Sequence, residues 1–348
     1  MLHSYAVDLF ALTRALVDIE SVSGNEAPVG DFVAEHLRRL GYRVECTPVP
    51  AADPKYARRF NVFAAPAKLP EPEIVFSTHM DVVPPWFAAS EDGENIYGRG
   101  ACDAKGIIAA QIFAAERLRA MGISVGVLFL AGEERDSAGA RAANEQAAKL
   151  LKSRPRFLIN GEPTGNRLAL ASKGALRVEL VASGKLSHSA YPELGESAIE
   201  KLLTALERLR QMPLPKNPEI GDCTMNIGVI EGGRAPNVVA DSARAHLLYR
   251  LVGPSHELKQ KIVELVGNLA EVNFVLEIPF VKLRAPAGMP TMVAAFTTDI
   301  PSLSNWGEPL LVGPGSIEVA HTEREFVAKK ELTAAVDLYV ELARRLVR

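Results

Sequence analysis

The segment Ser77-Thr78-His79-Met80-Asp81 closes an apolar run with an imidazole and a carboxylate two residues apart. An extended backbone repeats its facing every two residues, so His79 and Asp81 emerge on one side, as a metal ligand and a carboxylate that could orient it. If His79 is a ligand, its partners belong beyond the carboxyl ends of other strands, where ligands gather in an open α/β sheet. Residues of that kind follow in order. Asp103 lies in Gly98-Arg99-Gly100-Ala101-Cys102-Asp103-Ala104-Lys105-Gly106, and Glu133 and Glu134 follow the apolar run Val125–Leu130. Glu162 follows Phe157–Asn160, and His321 lies in Gly313-Pro314-Gly315-Ser316-Ile317-Glu318-Val319-Ala320-His321-Thr322. Taken singly, Asp103 could cap a helix, the glutamate pair could be solvated charge, Glu162 could belong to a turn, and His321 could be an ordinary histidine. Their joint placement at successive strand ends is what points to chemistry.

Charge balance gives that chemistry a form. Two divalent cations bring four positive charges, which Asp103, Glu134, Glu162 and one hydroxide neutralise, with His79 and His321 as neutral ligands. Imidazole and carboxylate ligands without thiolate suit zinc first, with cobalt or manganese as alternatives. Glu133 and Glu134 are adjacent and point in different directions, so one can bind metal while the other stands over a bridging water as general base.

These residues need strands to carry them, and the periodicity supplies them. Residues Met1 to Ile19 read as an amphipathic helix rather than a signal peptide, and Val29 to Leu40 as a second helix with Asn25 as N-cap and Gly41 as its stop. Short apolar runs at Val44–Val49, Asn61–Ala65, Ile74–Ser77, Val125–Leu130 and Phe157–Asn160 read as strands, separated by helices over Lys105–Met121 and Ala138–Leu151. This alternation predicts an α/β fold with a mainly parallel sheet covered on both faces. The pattern changes near Lys173: a strand at Leu176–Ala182, a helix at Ser197–Met212, strands at Met225–Ile230 and Ala243–Leu251, a helix at His256–Leu269 and a strand at Val272–Val281. That order is the split βαβ arrangement of a ferredoxin-like α+β unit. A helix over Thr291–Thr298, a strand at Pro309–Gly313 and a helix at Ala328–Leu346 then return the chain to its first domain. The expected division is therefore a metal-binding domain of residues 1–173 and 285–348 with an inserted domain of residues 174–284.

Composition narrows the class. The 348 residues are 48% hydrophobic and 23% charged with a formal net charge of −3, which fits a soluble globular protein and offers no basic stripe for nucleic acid. No apolar run approaches a membrane span. Cys46, Cys102 and Cys223 are scattered and odd in number, unlike a disulfide framework or a Cys-based zinc site, and point to a reducing, cytoplasmic setting.

The ordered set Ser77-Thr78-His79-Met80-Asp81, Gly98-Arg99-Gly100, Asp103-Ala104-Lys105-Gly106, Glu133-Glu134, Gly161-Glu162-Pro163-Thr164 and Ala320-His321-Thr322 resembles the dinuclear zinc aminoacylase, acetylornithine deacetylase, succinyl-diaminopimelate desuccinylase and carboxypeptidase family over nearly the whole chain. The resemblance implies a zinc-peptidase-like three-layer αβα domain with two zinc ions bridged by Asp103. His79 and Glu162 would complete one site, Glu134 and His321 the other, with Glu133 as general base. It also implies that the inserted domain is a lid through which the protein forms a homodimer. Gly184-Lys185-Leu186-Ser187-His188-Ser189-Ala190 resembles the family's lid motif, whose histidine reaches the partner's active site and stabilises the oxyanion, a role expected of His188. Gly232-Gly233-Arg234-Ala235-Pro236-Asn237-Val238-Val239 resembles the substrate-binding turn, with Ala240 where the family commonly has proline. Asn237, Gly315 and Arg250 are the expected substrate contacts, Arg250 as a fork for a carboxylate.

The resemblance implies a zinc-dependent amidohydrolase that deacylates an N-acyl amino acid of the acetylornithine, acetylcitrulline or succinyl-diaminopimelate type, through metal-bound hydroxide and Glu133. In the family a glutamate at the position of Glu162 goes with deacylases and carboxypeptidases, which favours such N-acyl substrates over free-amino dipeptides. A dipeptidase or carboxypeptidase acting on a short peptide with the same dinuclear site is the alternative, and a metal-retaining binding protein the non-enzymatic one.

Overall fold

The computed structural model describes residues 8–50 and 58–347, so the start of the expected N-terminal helix lies outside the described residues. Helices α1 (Leu9–Val17) and α2 (Ala27–Arg39) precede strands β1 (Tyr42–Pro48), β2 (Phe60–Pro66) and β3 (Ile74–His79). Next come α3 (Gly106–Ala120), β4 (Val125–Leu130), α4 (Ala138–Leu150) and β5 (Phe157–Asn160). A second unit contributes β6 (Gly174–Ser183), α5 (Ala198–Gln211), β7 (Thr224–Gly232), β8 (Ser242–Leu251), α6 (His256–Val266) and β9 (Glu271–Ile278). Strand β10 (Glu308–Leu311) and helix α7 (Lys329–Leu346) belong again to the first unit. The first unit runs to Leu170 and takes in Leu283–Met292 and the chain from Thr298; the second is Ala171–Lys282 with Val293–Thr297.

In the first unit the sheet order is β1-β2-β4-β3-β5-β10. Strand β3 runs parallel to β4 and β5, and β10 parallel to β5, while β1 and β2 add an antiparallel margin. Strands β3, β4 and β5 are buried at every position, as continuous apolar strands with both faces covered must be. The register places His79 opposite Leu130, Ser77 opposite Asn160 and Asn160 opposite Leu311. The carboxyl ends of β3, β4, β5 and β10 therefore share one edge, and the loops that leave them are neighbours.

Helix α3 is buried on nearly all sides because it packs against the sheet, α1 and α7 together. Phe76 of β3 meets Tyr339 of α7 with ring centroids 5.2 Å apart, and the Tyr339 hydroxyl donates to the Val312 carbonyl at 2.7 Å. Gln111 of α3 donates to the Ser77 carbonyl at 2.9 Å, so α3 is tied to the strand that carries His79. Such close packing leaves no room for a side chain at Gly161, where a Cβ would lie 2.3 Å from Ile107 Cγ2 and 2.6 Å from Gln111 Nε2. Glycine there lets the chain leave β5 directly over α3 and deliver Glu162.

The second unit is an antiparallel sheet in the order β7-β8-β6-β9, and its strand and helix sequence is the expected split βαβ order. Leu202, Leu206 and Leu209 of α5 and Leu258, Ile262 and Val266 of α6 recur at helical spacing and pack against the inward residues Leu247 and Tyr249 of β8. Ser197 caps α5 by accepting from the Glu200 N–H.

Three expectations change. Helix α2 is preceded by Glu26 rather than Asn25 in the cap position. The closing strand of the second unit stops at Ile278, before Pro279, which has no N–H to continue a ladder. Thr291–Ala294, expected as helix, is a strand beside Leu168–Ser172. Thr291 and Val293 are β-branched, and a partner strand more than a hundred residues away in sequence decides the outcome over local propensity. Among the described residues no helix is long and apolar enough to cross a membrane.

Because Phe76 is fully buried between β3 and α7, Phe76→Ala should destabilise the protein by about 3–5 kcal/mol. Urea unfolding followed by circular dichroism measures this, and a loss below about 1 kcal/mol would show that the contact does not hold the layers together.

Candidate metal centre

His79 ends β3 and is buried. Its Nδ1 lies 2.9 Å from the Asp81 backbone carbonyl, an acceptor only, so Nδ1 carries the proton and Nε2 is left to face the cluster. Asp81 does orient the ring, as its spacing suggested, but through its main chain: the nearest carboxylate oxygen is 3.6 Å from Nδ1. The carboxylate has other work. Its Oδ1 accepts from the N–H groups of Gly132 (2.9 Å) and Glu133 (3.1 Å), and its Oδ2 from the Glu134 N–H (3.2 Å) and the Ser23 hydroxyl (2.7 Å). The loop that carries both glutamates is thus wrapped around one buried acid.

Asp103 sits where the backbone departs from helical geometry (φ −127°, ψ 90°) just before α3. Its Oδ1 is 2.9 Å from His79 Nε2 and its Oδ2 is 3.5 Å from His321 Nε2, so the two oxygens face two imidazoles. Glu162 Oε2 is 3.9 Å from His79 Nε2, and Glu134 Oε1 is 2.8 Å from His321 Nε2. His321 holds a left-handed backbone, φ 63°, uncommon for a residue with a side chain and a sign that its surroundings dictate its place.

Two ligand-like sets result, His79 with Asp103 and Glu162, and Asp103 with Glu134 and His321, each with its donor atoms within 4.8 Å of one another. Asp103 is common to both. The donors are hard oxygens and imidazole nitrogens, and Glu162 Oε1 is buried with no hydrogen-bond partner among the described residues, as an oxygen reserved for a cation would be. The residues therefore fit a pair of divalent ions. Glu133 belongs to neither set.

Electrostatics follow from crowding acids in a dry place. Burial pushes the Glu133 carboxyl well above its ordinary range, and the field of Glu162 adds to that. Burial likewise raises Glu162 and Glu134. For Asp103 burial acts upward too, but His321 and His79 outweigh it and hold the group below the ordinary carboxylate range. His321 is pushed up to about 10 by Asp103 and Glu134. In the absence of a cation, protonated imidazole is the charge that this cluster calls for.

The remaining expected residues lie elsewhere in the fold. Gly315 (φ 82°) packs against Cys102, but its N–H donates to Glu331 Oε2 and its carbonyl accepts from the Gly165 N–H. Both main-chain groups are engaged within the first unit, the carbonyl through one of its two lone pairs. In the second unit, His188 and Asn237 are exposed and share one corner: His188 bridges Val238, and the Ser189 N–H donates to the Asn237 carbonyl at 3.0 Å. The Ala190 N–H donates to His188 Nδ1, which leaves Nε2 facing outward. Arg250 stands near the other end of β8, about 26 Å along the strand at ~3.3 Å per residue, half-buried and with no acidic partner among the described residues.

Some residues escaped the sequence pattern. Glu325, fully buried, accepts from the N–H groups of Gly100 (2.9 Å), Cys102 (3.2 Å) and Asp103 (3.1 Å) and from Arg99 Nη1 (2.6 Å). Only its nearness to His321 in the chain could have flagged it. Asp299, 1% exposed, has no well-formed hydrogen bond to either oxygen among the described residues; burial pushes it up to about 7 against the opposing effect of the Ser137 hydroxyl, and it adds to the negative field at Glu133 and Glu162. In the sequence it is one aspartate after two threonines.

Two outcomes follow. Asp81→Asn swaps an acceptor for a donor against inward-pointing N–H groups and should cost about 1–3 kcal/mol in denaturant unfolding, whereas a neutral result would mean the loop stands without it. A cation entering the cluster must displace the proton that His321 holds below about pH 10, so zinc uptake at pH 7.5 should release protons and the apparent affinity should rise with pH. Calorimetry in buffers of different ionisation enthalpy reads the proton count, and zero release would contradict this electrostatic picture.

Comparison with known proteins places these features in a family. Residues 75–345 match the profile of peptidase family M20/M25/M40. A peptidase M20 domain-containing protein of Schizosaccharomyces pombe is 37% identical over 347 residues, covering 95% of this chain and 83% of its own length. A probable carboxypeptidase of Aspergillus terreus is 38% identical over 364 residues, covering 94% of this chain and 84% of its own. A tripeptidase from Staphylococcus aureus has the same fold, with a TM-score of 0.80 at 22% identity over 97% of this chain and 98% of that one. The chain belongs to peptidase family M20/M25/M40 and is a metal-dependent hydrolase.

Proposed function

We propose that this protein hydrolyses the amide bond joining a C-terminal amino acid to a short peptide or a simple acyl group, in the manner of a metallo-carboxypeptidase. The observation that carries the reading is the shared position of Asp103 between His79 with Glu162 and Glu134 with His321. Asp103 would bridge two divalent cations, zinc first, with cobalt or manganese as alternatives. Such a pair would polarise the scissile carbonyl and bring the ionisation of water close to neutral pH.

Glu133 is the general base in this reading. Its N–H is pinned by Asp81, its neighbour Glu134 turns toward His321, and burial gives its carboxylate a raised proton affinity. It takes a proton from the attacking water and returns it to the leaving amine. His188, with Nε2 free, would donate to the developing oxyanion, and Arg250 would hold the free α-carboxylate of the substrate. An unpaired, half-buried guanidinium suits that task. A homodimer through the second unit, with His188 serving the partner's active site, belongs to this reading. The free cysteines Cys46, Cys102 and Cys223 are compatible with a cytoplasmic setting.

The name of the Aspergillus terreus relative favours peptide substrates. Glu162, a glutamate where the deacylases and carboxypeptidases of the resembled group both have one, is compatible with N-acyl amino acids as a second reading. Both classes present a free carboxylate next to the scissile amide. A panel of dipeptides, tripeptides, N-acetyl amino acids and their C-terminally amidated forms separates them. Equal turnover of free and amidated substrates would exclude the carboxylate-dependent reading. Glu133→Gln should keep its metal by elemental analysis and lose about 10²–10⁴-fold in kcat. Parental turnover in that variant would remove Glu133 as the base.

A further inference from the structure

Glu325 is not a ligand, yet its contacts reach the bridging acid. One oxygen, Oε1, collects the N–H groups of Gly100, Cys102 and Asp103 itself, and the other is held by Arg99. Arg99 is buried, donates to the Pro85 carbonyl at 3.2 Å and lies over the Phe87 ring at 5.2 Å, so it is a fixed counter-ion and not a mobile surface charge. The position of Glu325 is equally fixed. Phe326–Ala328 pairs antiparallel with Asn95–Tyr97, and the Glu325 carbonyl extends that ladder by accepting from the Gly98 N–H at 3.1 Å.

Four residues before Glu325 in the same segment stands His321. A single carboxylate therefore ties the segment that carries His321 to the loop that carries Asp103. These are two of the three donors in the set Asp103, Glu134 and His321. The other set depends on it less, because His79 is held by β3 and the Asp81 carbonyl, and Glu162 by the end of β5.

We propose that Glu325, clamped by Arg99, is a positioning residue that makes Asp103 a bridge, and that it governs occupancy of the Asp103–Glu134–His321 position selectively. The proposal rests on the two-ion reading of the centre. Groups behind metal ligands typically change affinity by about 10–100-fold when removed, and here that loss falls on one ion of the pair.

The test is zinc binding by the metal-stripped full-length protein, measured by competition with a chromophoric chelator and by elemental analysis. Parent, Glu325→Gln and the exposed neighbour Glu323→Gln are compared, with thermal unfolding of each metal-free protein as the check on folding. The expected result is two zinc ions per chain in the parent and in Glu323→Gln. In Glu325→Gln the first ion should bind within about threefold of the parent and the second about 10–100-fold more weakly. Equal weakening of both ions, or unchanged affinities with only a lower melting temperature, would make Glu325 merely structural and overturn the proposal. A parent that takes up fewer than two ions would instead remove the two-ion reading, and this inference with it. If Glu325→Gln does not fold, Arg99→Lys carries the same comparison. It keeps the charge and loses the planar fork, so a selective loss of the second ion is again expected and parental affinities again refute it.

Discussion

Negative charge packed into a dry sheet edge is the constraint on which the first unit depends. A buried carboxylate costs several kcal/mol unless hydrogen bonds or opposite charge compensate it, and here Asp81, Asp103, Glu162, Asp299 and Glu325 are all buried at or near one place. The protein meets the cost in two ways. Asp81 and Glu325 accept hydrogen bonds from backbone N–H groups, assisted by the Ser23 hydroxyl and the Arg99 guanidinium respectively. Asp103, Glu134 and Glu162 are left to imidazoles and, in the proposed holoenzyme, to cations.

These two uses of acid are linked. Each amide-bound carboxylate organises a loop, and each loop then presents an acid of the other kind: Asp81 holds the turn that carries Glu133 and Glu134, and Glu325 holds the turn that carries Asp103. Loops are usually the soft part of a fold, and a site that must hold metal donors to a few tenths of an ångström needs them stiff. An internal carboxylate that gathers several N–H groups provides this without lengthening any strand. The same crowding keeps Glu133 basic, so the scaffold and the chemistry draw on one electrostatic source.

In the second unit, a long antiparallel strand does the positioning. Strand β8 carries Arg250 near one end, and the turn holding Asn237, against which His188 lies, precedes the other. That separation is a property of strand geometry alone.

Much of this was legible in the chain. His79, Asp103, Glu133, Glu134, Glu162 and His321 could be picked out because each follows or starts an element whose periodicity is plain, and strand ends in an α/β sheet converge. The order of elements in the second unit was legible for the same reason. Thr291–Ala294 was not, because its strand state depends on a partner remote in sequence. Gly315 carried a motif, and its hydrogen bonds with Glu331 and Gly165 exist only in the folded chain. Glu325 and Asp299 left no usable signal, since Glu325 is held by main-chain N–H groups and by an arginine more than two hundred residues away, and Asp299 stands buried with no well-formed hydrogen bond among the described residues. The sequence by itself determined which donors exist and which strand ends deliver them, because alternation and helical periodicity are local properties. Only the tertiary structure decided that Asp103 faces two imidazoles, that Asp81 grips a loop with its carboxylate while orienting His79 with its carbonyl, and that Glu325 stands behind Asp103, because these relations join segments separated by tens to hundreds of residues and exist only once the sheet has closed around them.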